Sequence, residues 1–273
     1  MALDEQAGPV RPYDDIPGVT LARRDSIALI TVDRPDARNA LTLDSQARLI
    51  QLWKRLQTDD EIRAVVITGA HDSSSPPERQ SFCVGTDMKE LADISGRPTG
   101  YVSALDEGFP SLCALEPRTP SIAAVNGYCI GGGMTLMLAT DLRVAATSAT
   151  FGLPEVPLGM IPANGAIPRM MNNLSHAAAM QLLLLPQRMD AARAYELGLI
   201  NAVVPHEQVL STALEWAAHI ASLPATAVRA VMDLASRSRR LSPTDAARLE
   251  SIVLETLRQE AGVIAGPPST RPT

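Results

Sequence analysis

Aromatic side chains are scarce in this 273-residue chain: two tryptophans, four tyrosines and three phenylalanines make up 3% of it. Its core must therefore be aliphatic, and 46% of its residues are hydrophobic, enough to fill one. A basic field is also missing. The net charge of -6 leaves nothing to hold a polyanion such as nucleic acid. Only three cysteines occur, Cys83, Cys113 and Cys129, without CxxC spacing and odd in number. They read as reduced thiols of a cytoplasmic protein, with no metal site. No uninterrupted apolar run is long enough to span a bilayer. The start, "MALDEQAGPVRPYDDIPG", is acidic and broken by proline and glycine, so neither a signal peptide nor a membrane anchor is expected.

What the chain does have is strands interleaved with helices. "SIALITVD" (Ser26 to Asp33) and "RAVVITGA" (Arg63 to Ala70) read as strands. Between them Leu43, Ala47, Ile50, Trp53 and Leu56 recur at helical spacing behind Thr42, a good N-cap. "DLRVAAT" and "INAVVP" read as later strands, and helix dominates after Ile200. The expectation is an α/β core over residues 1–200 and a helical C-terminal part over 201–273 that mediates oligomer contacts.

The most unusual stretch is "NGYCIGGGMTLMLATDLRVA", Asn126 to Ala145. Three consecutive glycines, Gly131 to Gly133, stand between a strand-like run and a helix-like one. Each glycine costs about 0.5–1 kcal/mol relative to alanine in regular structure, so backbone there either flexes or must approach something closely. A glycine turn that opens a helix presents free N–H groups at the positive end of its dipole, which is an anion or oxyanion site in outline.

Two further motifs flank it in order, "SFCVGTDMKEL" (Ser81 to Leu91) and "ATFGLPEVPLGMIPANG" (Ala149 to Gly165), with "RPDARNALT" (Arg34 to Thr42) ahead of them and "DAARAYELGLINAVVP" behind. Together they resemble the enoyl-CoA hydratase/isomerase family, the crotonases, over roughly Gly18 to Leu257. The resemblance implies a spiral of ββα units and an acyl-CoA thioester as substrate, with coenzyme A as carrier and no separate cofactor. It implies that the backbone N–H groups of Thr86 and Gly132 hold the thioester oxygen and that Glu155 is the acid–base group. Its setting between Pro154 and Pro157, among apolar neighbours, should desolvate that carboxyl and raise its pKa. Ala37, Arg38, Asp87 and Met88 are expected to meet the carrier. The family assembles as homotrimers or dimers of trimers, and the same is expected here.

The chain departs from the family at Thr135. Hydratases of the family carry a second glutamate there, and a threonine hydroxyl is no general base at neutral pH. Thr135 then orients a water or lines the pocket. Ala163 occupies the position of an extra acid in the dienoyl isomerases, which sets that subgroup aside and leaves Ala163 as a pocket residue. Single-glutamate proton transfer and hydration both stay open, as do decarboxylase or hydratase-lyase chemistry and a non-catalytic acyl-CoA-binding relative. An RNA-binding relative would want a lysine-rich first helix, and "SQARLIQLWKRLQTDDE" is balanced in charge.

Among other candidates, Asp141 reads as a structural carboxylate. Asp106 and Glu107 could replace the missing acid, and Tyr101 and Phe109 could shape the acyl pocket. His71, His176, His206 and His219 show no partner spacing. The C-terminal "RQEAGVIAGPPSTRPT" lacks the aromatic and basic cluster with which the family reaches a neighbour's carrier.

Overall fold

The computed structural model describes residues 17–90, 118–185, 187–239 and 241–260. Tyr101, Asp106, Glu107, Phe109 and Cys113, and the chain end after residue 260, lie outside the described residues.

The chain builds two sheets at once. One has six strands: β1 (Val19–Arg24), β2 (Ile27–Val32), β3 (Ala64–Gly69), β5 (Ser121–Val125), β7 (Leu142–Ala146) and β10 (Ala202–Val204), in the order β1-β2-β3-β5-β7-β10. Apart from the β1–β2 hairpin, its pairs are parallel. The smaller sheet has the order β4-β6-β8-β9, from β4 (Ser81–Cys83), β6 (Tyr128–Ile130), β8 (Thr150–Gly152) and β9 (Met189–Asp190). The chain lays a strand in the large sheet and then one in the small sheet, three times over: β3 to β4, β5 to β6, β7 to β8. That is the expected spiral of strand pairs.

The central strands are "AVVITG" and "SIAAV", buried at every position. Parallel strands covered on both faces carry such continuous apolar runs. Helix α1 (Leu43–Thr58) starts where Thr42 accepts the Ser45 N–H at 3.1 Å. Its buried stripe differs from the expected one. Leu49, Leu52, Trp53 and Leu56, at i, i+3, i+4 and i+7, are buried, together with Ile50, whereas Leu43 and Ala47 are only partly so. The apolar stripe is carried by the helix's later turns. The few aromatics are spent inside, with Trp53, Phe82 and Phe151 among the largest fully buried side chains.

Helix α2 (Gly132–Leu138) packs on β4 and β6, and α3 (Ala166–Asn173), α4 (His176–Leu184) and α5 (Ala191–Glu196) follow. Helix α6 (Val209–Ser222) lies on β3, β5 and β7. Helices α7 (Ala225–Ser238) and α8 (Pro243–Glu260) pack on each other, and no residue of α7 is buried. No helix among the described residues is long and apolar enough to cross a membrane.

Candidate active site

The small sheet positions the site. Its strands β4, β6 and β8 run parallel and side by side, so their C-terminal ends lie together. Thr86 comes just after β4, Gly131 and Gly132 just after β6, and Glu155 just after β8. Three motifs separated by up to about seventy residues of chain thus converge on one edge.

Gly131 makes the turn from strand to helix. Its φ of 55° and ψ of −124° lie where only glycine is at ease, and its N–H bonds to Gly152 O at 2.9 Å. From there α2 begins with Gly132, whose N–H, like that of Thr86, has no backbone acceptor among the described residues. The two turns lie against each other: a Cβ placed on Gly132 would lie 3.6 Å from Thr86 N and 3.2 Å from Gly85 Cα. Gly133 is needed for packing, because a Cβ there would stand 2.0 Å from Cys83 O. One N–H without a backbone acceptor among the described residues, at the start of a helix, and a second in the neighbouring turn are the kind of groups that can hold an anionic oxygen.

Glu155 faces the same turn. Its Oε1 lies 3.2 Å from where a Gly131 Cβ would stand, and its Oε2 is buried without a hydrogen-bond partner among the described residues. Loss of water around the half-buried carboxyl raises its pKa, as expected for an acid–base group. The backbone is pinned, since Glu155 O accepts the N–H of Leu158 at 3.0 Å and of Met160 at 3.1 Å. Val156, Leu158, Met160 and Ile161 after it are exposed, so its surroundings are apolar but open.

Thr135 sits on the first turn of α2 and is 2% exposed. Its Oγ1 turns toward the helix's own Gly131 O, 3.5 Å away. Asp87 and Met88 continue directly from Thr86, with Met88 exposed. Arg38 is exposed, in the left-handed conformation at φ 55°, with its Cζ 5.9 Å from the Tyr128 ring centre. Arg188 approaches the same ring at 5.1 Å. Asp36, Arg38, Arg79 and Ser81 are among the residues around a cavity of about 150 Å³ beside the first loop, where Ala37 is partly buried. Ala163 is exposed in the loop before α3.

Asp141 is structural, its Oδ2 accepting the Ser121 N–H at 2.8 Å and hydroxyl at 2.6 Å. Cys83 and Cys129 are free and buried, and burial pushes the Cys83 thiol up to about 12. Sequence spacing missed two contacts. The His71 and His206 rings come within 5.7 Å, and His206 Nδ1 donates to Asn126 O at 3.0 Å. Arg34 pairs with Asp87 at 2.9 Å, joining the first loop to the turn at Thr86. Opposite charges in two motifs already matched were the available signal for the second contact.

A spiral of strand pairs that gathers a desolvated carboxyl and two backbone N–H groups without backbone acceptors among the described residues at one edge defines a candidate enzyme active site. The Enoyl-CoA hydratase/isomerase family profile matches residues 22–268. The chain is 37% identical over 219 residues to (E)-benzylidenesuccinyl-CoA hydratase of Thauera aromatica, covering 80% of this chain and 81% of that one. It is 33% identical over 240 residues to short-chain-enoyl-CoA hydratase of Clostridium acetobutylicum, covering 87% and 88%. The crystal structure of enoyl-CoA hydratase from Mycobacterium tuberculosis superposes with a TM-score of 0.75 at 32% identity, covering 89% and 90%. The protein belongs to the enoyl-CoA hydratase/isomerase family and is an enzyme acting on acyl-CoA thioesters.

Proposed function

We propose that the enzyme moves a proton through a thioester enolate, with Glu155 as the single acid–base group and the N–H groups of Thr86 and Gly132 as oxyanion donors. The convergence of these three groups at the ends of adjacent strands carries the reading. Glu155 takes a proton from C2 of a 3-enoyl thioester, the charge moves onto the thioester oxygen between the two donors, and the same carboxyl returns the proton at C4. A 2-enoyl thioester results. Fixed donors aimed at the developing charge need no reorganisation, and each is worth about 10²–10³ in rate. The carboxyl suits the task because desolvation brings its pKa closer to working pH.

Coenzyme A is the carrier of the substrate, and the chemistry needs no cofactor or metal. Ala37, Arg38, Asp87 and Met88 meet the carrier, and Thr135 and Ala163 belong to the acyl side. A second reading, addition of water to a 2-enoyl thioester, is favoured by the hydratase names of the relatives. It would need Thr135 to hold the water, and that hydroxyl is turned toward Gly131 O. A cytoplasmic enzyme of fatty-acid metabolism fits both readings. Assembly as a homotrimer or dimer of trimers is supported by the apolar residues left exposed on the last two helices, Val231, Ile252 and Leu254.

The test is a screen of 2-enoyl, 3-enoyl and 3-hydroxyacyl thioesters of several lengths, with Glu155→Gln beside the wild type. The variant should fold, bind coenzyme A thioesters and lose at least about 10²-fold in turnover. Activity within a few-fold of wild type would remove Glu155 from the mechanism.

A further inference from the structure

We propose that Arg34 is the positioning residue of the oxyanion site, a guanidinium that ties Thr86's own strand to the Leu41 strand beside it and so sets the direction of the Thr86 N–H. The inference rests on the reading of Thr86 as an oxyanion donor.

Thr86 is held by a single isolated bridge to Leu41. Leu41 N–H donates to Gly85 O at 2.7 Å and Asp87 N–H donates to Leu41 O at 2.9 Å. In a parallel pairing the residue bracketed in this way points its own N–H to the opposite side, here toward Gly132. Two hydrogen bonds outside any ladder are little to keep a catalytic peptide in register.

Arg34 supplies what the missing ladder does not. Its Nη1 donates to Ala40 O at 2.8 Å, on the residue just before Leu41, and its Nη2 reaches Asp87 Oδ2 at 2.9 Å, on the residue just after Thr86. One planar group thus spans both strands of the bridge, which a fork of fixed geometry can do and a single ammonium cannot. The pair is largely withdrawn from water, with side-chain exposures of 27% for Arg34 and 15% for Asp87. Asp87 Oδ1 also accepts the Lys89 N–H at 3.0 Å, which fixes the chain beyond it.

Arg34 is itself held in place. Its N–H donates to Asn39 Oδ1 at 3.0 Å, and its O accepts the Asn39 N–H at 2.8 Å. Asn39 is buried and donates onward to Ser81 O at 2.7 Å and Ala70 O at 3.0 Å. Arg38 and Asn39 both take left-handed backbone, at φ 55° and 57°, and this costly reversal is what brings Leu41 back alongside Thr86. Gly18 leaves room for the arginine stem, since a Cβ there would lie 2.8 Å from Arg34 Cδ. The loop is built around this side chain.

The experiment compares Arg34→Met, Arg34→Lys and Asp87→Asn with wild type and Glu155→Gln. It reads kcat and KM on an enoyl thioester that the wild type converts, Kd for saturated butyryl-CoA, and the melting temperature. Arg34→Met should lose about 10–100-fold in kcat, the scale of a donor displaced by up to about 1 Å, while Kd for butyryl-CoA changes by less than about threefold. Arg34→Lys should recover part of the kcat. A general weakening of the carrier site would instead raise Kd in step with the loss of kcat, and that result overturns the proposal. So does a folded Arg34→Met with kcat within about twofold of wild type. If Arg34→Met does not fold, a full wild-type kcat in both Arg34→Lys and Asp87→Asn overturns it, and a loss of kcat in Arg34→Lys at constant Kd supports it, Asp87→Asn being read by kcat alone because Asp87 also meets the carrier. Loss of rate in Glu155→Gln with none in the Arg34 variants rejects this inference alone. A wild type that converts no enoyl thioester rejects the parent reading and this one with it.

Discussion

Alanine placed in turn at Gly131, Gly132 and Gly133 should separate three physical demands that the sequence runs together. At Gly133 the new Cβ would stand 2.0 Å from Cys83 O and 2.6 Å from Cys83 C, both backbone atoms. An ordinary contact needs more than about 3 Å, so the start of α2 and strand β4 must separate by about 1 Å. Cys83 is three residues before Thr86, and Gly133 adjoins Gly132, so the displacement enters the gap between the two donors directly. A shift of that size costs about 10²-fold in rate, and overpacking costs about 1–3 kcal/mol in stability. At Gly131 the obstacle is conformational, with φ at 55°, and the methyl group would press on Glu155 Oε1 at 3.2 Å. Strain of about 1–3 kcal/mol is expected there together with a displaced base. Gly132→Ala meets Gly85 Cα at 3.2 Å and Thr86 N at 3.6 Å, which small shifts accommodate. Its melting temperature should stay near wild type while turnover falls at least tenfold, because the methyl group occupies the space between the donors. Thermal melting and kcat/KM on the same preparations read the series. Wild-type stability and rate in Gly133→Ala would refute the packing argument, and full activity in Gly132→Ala would place the oxyanion elsewhere.

Thr135→Val should leave isomerisation within about tenfold, since the hydroxyl makes one long contact and a neutral hydrogen bond is worth about 0.5–1.5 kcal/mol; a selective loss of hydration would instead support a Thr135-held water. Thr135→Glu places a carboxylate at a position only 2% exposed, so a lowered melting temperature at neutral pH is expected, and an unchanged one would show that the pocket reaches this side chain. Burial raises the Glu155 pKa, so its proton persists to higher pH in the folded chain than in the unfolded one, and the ionised base appears only above that raised value. The acid limb of kcat/KM should therefore have its midpoint above that of a free glutamate, and a limb at or below it would refute the assignment. By the same linkage, stability falls as pH rises from the ordinary glutamate value through the raised one, because the unfolded chain ionises first, and Glu155→Gln should remove that slope from the melting profile. Light scattering at micromolar concentration should show a trimer or hexamer, and a stable monomer would count against assembly through the C-terminal helices.

Local chemistry made much of this protein legible from its sequence. A continuous apolar run marked β3 because buried parallel strands need no polar face, Thr42 marked the start of α1 because its side chain satisfies a free N–H, and the triple glycine marked a close backbone approach. The motif at Glu155 singled out one carboxyl, and desolvation could be anticipated from its neighbours. Sequence spacing could not show which distant segments share an edge. Parallel pairing of β4, β6 and β8 gathers Thr86, Gly132 and Glu155, and that pairing depends on chain crossovers with no local signature. The inward face of α1 shifted to Leu49 and Leu52 because helical period fixes a stripe's width while packing against the sheet chooses its centre. Thr135 turned inward and Arg34 reached Asp87 for a similar reason: a side chain's direction and partner are set by the space the folded backbone leaves, and the residue's identity limits only what it can do once there.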